Sequence, residues 1–96
     1  QIEYKNRQIE RICTLALWLE ETWEEDGGKI HQRVDEIQAA ESVEMMVQYG
    51  IGRCHPLKGD RKGQYALDLV YPFRLIFKIK DEKIQIAWIM KIEDYH

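Results

Sequence analysis

An α+β domain, with its helices first and its sheet after them, is the fold class the sequence predicts. Three observations carry that expectation. Hydrophobic residues recur at helical spacing through the first half, the period changes to two after Gly52, and the alternating segments are joined by connections short enough for hairpins. Ninety-six residues are too few for two cores. Residues 1–96 are therefore expected to form a single domain, helical over 5–48 and sheet over 53–93, with N-terminal helices packed on a C-terminal antiparallel sheet.

The first helix is expected over 5–25, where neither Gly nor Pro occurs and Ile9, Ile12, Cys13, Ala16, Leu19 and Trp23 form an apolar stripe. Leu15, Leu17 and Trp18 widen the stripe beyond one face, so Leu15 and Trp18 are either core or turned toward a partner. Asp26-Gly27-Gly28 predicts a turn, because paired glycines disfavour a helix interior. A second helix follows over 29–40, with Ile30, Val34 and Ile37 inward and His31, Gln32, Arg33, Asp35 and Glu36 in water. Ser42 is the expected N-cap of a short third helix through Val43, Met45 and Met46, which stops before Gly50 and Gly52.

A short strand is expected over 53–57, then a turn through Lys58-Gly59-Asp60-Arg61-Lys62-Gly63. Three longer strands cover 64–70, 73–79 and 84–92 and predict an antiparallel meander. In the last of them Ile84, Ile86, Trp88, Met90 and Ile92 share one face. Met45, Met46, Trp88 and Met90 are expected in the core.

Composition excludes several classes. Apolar residues are 45% and charged residues 32%, as in a folded soluble protein rather than a disordered one. No apolar run is long enough to span a membrane, and no secretory leader is evident, so a cytoplasmic protein without membrane contact is expected. The sequence opens on Gln1 rather than Met, so the chain is expected to be trimmed or altered at that end. Cys13 and Cys54 are too few for a disulfide framework and lack CxxC spacing. Cys54, His55 and His96 have no metal-ligand spacing, so no metal or other cofactor is expected. The net charge of −3 conceals a division. Residues 1–52 carry 5 basic and 11 acidic side chains, residues 53–80 carry 7 and 2, and residues 81–96 carry 2 and 4. The +5 segment suggests an anionic ligand there and a different partner on the acidic half.

Within that basic segment, His55 precedes a glycine-punctuated cationic loop. Arg74 projects away from the apolar face of its strand, opposite to Phe73 and Leu75. The chain closes on Asp94-Tyr95-His96. Two histidines, a tyrosine, a carboxylate and several fixed cations are the groups needed for metal-free RNA cleavage by the RNA's own 2′-hydroxyl. Histidine suits the proton transfers, and arginine suits the charge that builds on the phosphate. Each group also has a plainer reading. Arg74 could form a cross-strand ion pair with Asp68, Cys54 could be a buried strand thiol, and His31 a solvated helix residue.

Gly52-Arg53-Cys54-His55-Pro56-Leu57-Lys58-Gly59-Asp60-Arg61-Lys62-Gly63-Gln64-Tyr65-Ala66-Leu67-Asp68-Leu69, then Pro72-Phe73-Arg74-Leu75-Ile76-Phe77 and the final Asp94-Tyr95-His96, resemble the HigB branch of the RelE/ParE toxin superfamily. The likeness extends over residues 29–96 and includes His31-Gln32-Arg33-Val34-Asp35-Glu36-Ile37 with Ala39-Ala40. It implies a RelE/ParE-like fold and a type II toxin–antitoxin toxin that cuts mRNA, typically on the ribosome. It also implies silencing by a HigA-like helix-turn-helix antitoxin, through which alone the toxin would meet DNA.

Carried over by position, the resemblance implies that His55, Lys58, Arg74, Asp94, Tyr95 and His96 are the catalytic set. His96 would be the principal proton-transfer group, Tyr95 and Asp94 would position it or the RNA, and Lys58 and Arg74 would stabilise phosphate. His55 would share acid–base work or orient substrate, while Arg53, Arg61 and Lys62 would hold RNA phosphates. The first helix departs from the family's usual Lys/Arg-rich pattern, since 19–26 is strongly acidic here. Two alternatives keep the fold and change the class. One is a ParE-like gyrase poison without ribonuclease activity, and the other is a non-catalytic antitoxin- or DNA-binding domain.

Overall fold

Four of the sheet's five strands follow the helices, as the change of period predicts. The computed structural model describes residues 1–19, 24–81 and 83–94, with side chains described outside 15–28. Strand β1 (Ile2–Tyr4) leads into α1 (Arg7–Leu19), α2 (Glu24–Ala39) and α3 (Val43–Gln48). Then come β2 (His55–Pro56), β3 (Gln64–Asp68), β4 (Phe73–Asp81) and β5 (Ile86–Asp94), with 3₁₀ turns at Ile51–Arg53 and Gly59–Arg61. The sheet order is β1-β5-β4-β3-β2, and β2 to β5 are antiparallel neighbours as expected of the meander. The sheet is nevertheless mixed, because β1 pairs parallel to β5 through Ile2↔Ala87, Glu3↔Trp88 and Tyr4↔Ile89. Three residues are too short a stretch to show a period of two, so that strand is not visible in the sequence.

The helix boundaries follow from local hydrogen bonding. Asn6 Oδ1 accepts the Ile9 N–H at 2.9 Å and caps α1, which therefore starts after the expected residue 5. Ser42 caps α3 as its sequence position predicts, its hydroxyl accepting the Met45 N–H at 3.2 Å. The expected Asp26-Gly27-Gly28 turn is instead part of α2. Two glycines cost a helix about 2 kcal/mol, a sum that tertiary packing of a sixteen-residue helix can exceed. Arg33, expected in water, is tied down: its Nε donates to the Asp68 carbonyl at 2.7 Å and its Nη1 to Glu36 at 2.6 Å. His31, expected to be solvated, is half-buried, its Nε2 3.3 Å from Asp35 Oδ2.

The core sits between the helices and one face of the sheet, where Ile9, Cys13, Ile37, Val43 and Met46 meet Leu67, Leu75, Phe77, Ala87 and Ile89. Each large side chain buried there contributes roughly 1.5–3 kcal/mol. Two expected core positions of the first half differ: Ile12 is exposed and Met45 only half-buried. In β5 the expected phase is overturned. Ile76 pairs with Lys91 and Phe77 with Ile89, so Met90 is the extra residue of a β-bulge. One extra residue reverses the alternation. Ala87 and Ile89 therefore face the core before the bulge and Ile92 after it, while Trp88 turns to the opposite face and Ile84 lies exposed in the preceding turn. Gln85 fixes that turn against α3, its Oε1 accepting the Val43 N–H at 3.1 Å.

The expected strand over 53–57 shrinks to two residues because the chain before it coils left-handed, with φ of +65° at Gly50, +57° at Gly52 and +55° at Arg53. At Gly52 a Cβ would lie 2.9 Å from Arg33 Nε and 3.0 Å from Leu67, whereas at Gly50 it would meet nothing within 4 Å. Gly52→Ala is thus expected to cost both backbone strain and the Arg33 tether, about 2–4 kcal/mol, against about 1 kcal/mol for Gly50→Ala. Urea denaturation of the two variants measures the difference; equal losses would contradict it.

Candidate functional site

Alternation along β4 sends Leu75 and Phe77 to the core and Arg74, Ile76 and Lys78 to the sheet face away from the helices. On that open face Arg74 lies between Asp68 of β3 and Glu93 of β5. Glu93 is the centre of the cluster. Its Oε2 accepts from Arg74 Nε at 2.7 Å and lies 2.7 Å from Arg74 Nη2. Arg61 makes a two-pronged contact, Nη2 to Oε1 at 2.7 Å and Nη1 to Oε2 at 3.1 Å, and Lys91 Nζ is 3.3 Å from Oε1. Three cations around one carboxylate leave a surplus of two positive charges. Arg61 belongs to the turn after β2, so to reach β5 its side chain must pass over the open face. Ala66 and Ile76, paired beneath, have no exposed surface.

Glu93 is 16% exposed and Arg74 14%, so their attraction is less screened than that of a surface pair. Hydrogen bonds from Arg61, then from Arg74 and Lys91, hold the Glu93 carboxyl down at about 2 against the opposing effect of burial. The same contact raises the Arg61 guanidinium above its ordinary value. Both cysteines behave oppositely, since burial pushes the Cys13 and Cys54 thiols up to about 11. Cys54 is buried as the plainer reading has it, although it ends the 3₁₀ turn just before β2 rather than lying in a strand, and it is poorly suited to act as a nucleophile.

His55 pairs with Ala66, which pairs with Ile76 and then Lys91, so the imidazole shares the open face with the arginine cluster, across an apolar floor. Its Nδ1 is 2.8 Å from the Arg53 carbonyl. A carbonyl only accepts, so in the neutral ring Nδ1 carries the proton and Nε2 is left as the acceptor. Arg53 itself is exposed and reaches Asp68 Oδ2 at 3.4 Å. Lys58 and Lys62 flank the 3₁₀ turn, both exposed and without an ion partner among the described residues.

The structure thus brings Arg61 and Arg74 together and puts His55 on their face. Arg74 is an ion-paired residue, as the structural alternative anticipated, although its strong described contact is to Glu93 rather than Asp68. Arg61, expected to hold RNA, is engaged by the same carboxylate. Asp94 pairs with Phe73, so alternation assigns it to the opposite face of the sheet from Glu93. Tyr95 and His96 lie outside the described residues, as do the side chains of Leu15, Leu17, Trp18, Leu19 and Trp23. Glu93 and Lys91 escaped the sequence reading because β5's register was not known there. β4 and β5 pair with two register shifts, so counting outward from the expected 81–83 connection does not place Glu93 opposite Arg74. Among the described residues, no group of three or more His, Cys, Asp and Glu side chains is placed to hold a metal ion, and no helix is long and apolar enough to cross a membrane.

No protein-family model matches the sequence. The chain is 31% identical over 72 residues to the endoribonuclease HigB of Proteus vulgaris, covering 75% of this chain and 74% of that relative. Among solved structures, the YoeB–YefM complex from Staphylococcus aureus contains a chain that superposes with a TM-score of 0.65 at 20% identity, covering 100% of this chain and 95% of the other. YafQ from E. coli strain BL21(DE3) superposes with a TM-score of 0.60 at 18% identity, covering 99% and 92%. These two show a shared fold.

The Glu93 cluster predicts a stability that depends on acid. A carboxyl held at about 2 when folded and near its ordinary value when unfolded stabilises the fold above pH ~5 and ceases to do so as pH falls toward 2. The contribution lost is on the order of 3 kcal/mol. Denaturant titrations between pH 6 and pH 2.5 are expected to show a shallower acid loss in Glu93→Gln than in wild type; equal slopes would contradict the assignment.

Proposed function

The chain belongs to the HigB family of endoribonuclease toxins, and from that premise we propose that it cuts mRNA, in association with the ribosome, by metal-free attack of the RNA 2′-hydroxyl on the adjacent phosphate. The observation that carries this reading is the surplus of two positive charges about Glu93, on the face where His55 presents Nε2. Such a surplus, fixed before substrate arrives, attracts a phosphodiester and favours the extra negative charge of its five-coordinate transition state. Removing one donor of this kind typically costs roughly 10²–10³ in rate.

In the proposed reaction a base takes the 2′-hydroxyl proton, the 2′-oxygen bonds to phosphorus, and the 5′-oxygen leaves with a proton from an acid. The products are a 2′,3′-cyclic phosphate and a 5′-hydroxyl. His96 is the principal proton-transfer group, Tyr95 and Asp94 position it or the RNA, and His55 shares acid–base work or orients the RNA. Arg74 and Lys58 stabilise the phosphate. Arg61, through Glu93, adds to the same field, and Arg53 and Lys62 hold flanking RNA phosphates.

The partner that silences it is a HigA-like antitoxin. An apolar surface suited to a protein partner exists away from the cationic face: Ile12, Ile30, Leu69, Val70, Phe73 and Ile92 line a cavity of ≈ 310 Å³, with Ile12 and Phe73 exposed at it. It is lined by Ile12 and Ile30 from the helical half and by Leu69, Val70, Phe73 and Ile92 from the sheet half.

Cleavage mapping on an mRNA, with and without translating ribosomes, tests the reading. Wild type is expected to cut the translated message and leave 2′,3′-cyclic phosphate ends. His96→Ala should lower the rate by about 10²–10⁴ with unchanged melting, and the HigA-like protein should stop the reaction. An intact message in a translating extract would overturn it. Full toxicity retained by a His55→Ala/His96→Ala double variant would favour a gyrase-poisoning toxin instead.

A further inference from the structure

The cations of the open face are not all neutralised in the same way. Arg61, Arg74 and Lys91 share Glu93, and Lys80 Nζ contacts Glu3 at 2.8 Å. Lys78 differs: its Nζ lies 4.6 Å from the centroid of the Trp88 ring, and no carboxylate among the described residues is within ion-pair distance. The ring's negative face attracts an ammonium without cancelling its charge. Lys78 is also half-buried, and the flexible stem is ordered in advance, which lowers the cost of holding an anion.

Its position matters as much as its charge. Arg74, Ile76, Lys78 and Lys80 follow one another on the same face of β4, at about 7 Å per pair of residues. Successive phosphates of an extended RNA strand are separated by a comparable interval. A strand whose reacting phosphate sits at Arg74 and that runs along β4 therefore carries a flanking phosphate to Lys78. The bulge at Met90 makes this possible, because it is the reversed alternation of β5 that brings Trp88 beneath the lysine.

We propose that Lys78, seated on Trp88, is a phosphate subsite for single-stranded RNA beside the cleavage site. This rests on the endoribonuclease reading and deepens it. The subsite recognises backbone rather than base, so it adds affinity and sets the path of the strand without selecting sequence.

The test uses a short RNA oligonucleotide with 2′-O-methyl groups throughout, which cannot be cut, and measures fluorescence anisotropy at several salt concentrations. Lys78→Gln is expected to weaken binding about five- to tenfold at low salt and to flatten the dependence of log K on log salt by about 0.7, the value for one phosphate contact on a single strand. Lys78→Arg should retain affinity, Trp88→Leu should lose part of it, and Lys29→Gln on α2 should match wild type. Thermal melting of each variant separates lost folding from lost binding. If Lys78→Gln binds as wild type while Arg74→Gln is weakened, the subsite is wrong and the ribonuclease reading stands. No salt-dependent binding by wild type overturns the subsite, and cleavage in a translating extract then decides the underlying reading separately.

Discussion

Glu93 accepts hydrogen bonds from Arg61, Arg74 and Lys91 at the end of the last strand, and the arrangement of the open face depends on it. The carboxylate joins the turn after β2 to β4 and β5. Removing it would leave the little-exposed Arg74 guanidinium without this carboxylate and beside the more exposed Arg61. One negative charge is enough to hold three positive ones and too little to neutralise them. The same interaction that fastens the turn therefore leaves the face cationic.

That balance explains how a chain with a formal charge of −3 can belong to a ribonuclease family. The acidic residues are concentrated in the helical half, whereas the sheet's open face collects basic side chains from the turn, β4 and β5. The opposite face supplies the core, and beyond it the apolar cavity at Ile12 and Phe73. A two-faced sheet thus separates a surface suited to phosphate from one suited to a protein.

Much of this order was legible in the residues. The change of period after Gly52, the Ser42 cap and the meander of three strands all follow from local chemistry, and Arg74 leaves the apolar face of its strand as the alternation requires. The failures have specific causes. The bulge at Met90 reversed the phase of β5, so Trp88 exchanged a core position for the open face. Gly27 and Gly28 sit in a helix because packing outweighed propensity. β1 was too short to show a pattern. Glu93 was missed because its role depends on a register between strands. Arg74 and His55 of the family motif share the open face, but the motif does not contain the carboxylate that organises them.

The central claim is that surplus charge about Glu93, and not the identity of any one arginine, makes the face a phosphate site. Binding of the uncleavable RNA oligonucleotide by Arg61→Gln and by Arg61→Gln/Glu93→Gln tests it most directly. The first change reduces the surplus from two charges to one, and the second restores two by removing the carboxylate. The folded double variant is expected to bind more tightly than the single one and to recover much of the wild-type affinity. A folded double variant that binds no better than Arg61→Gln would contradict it.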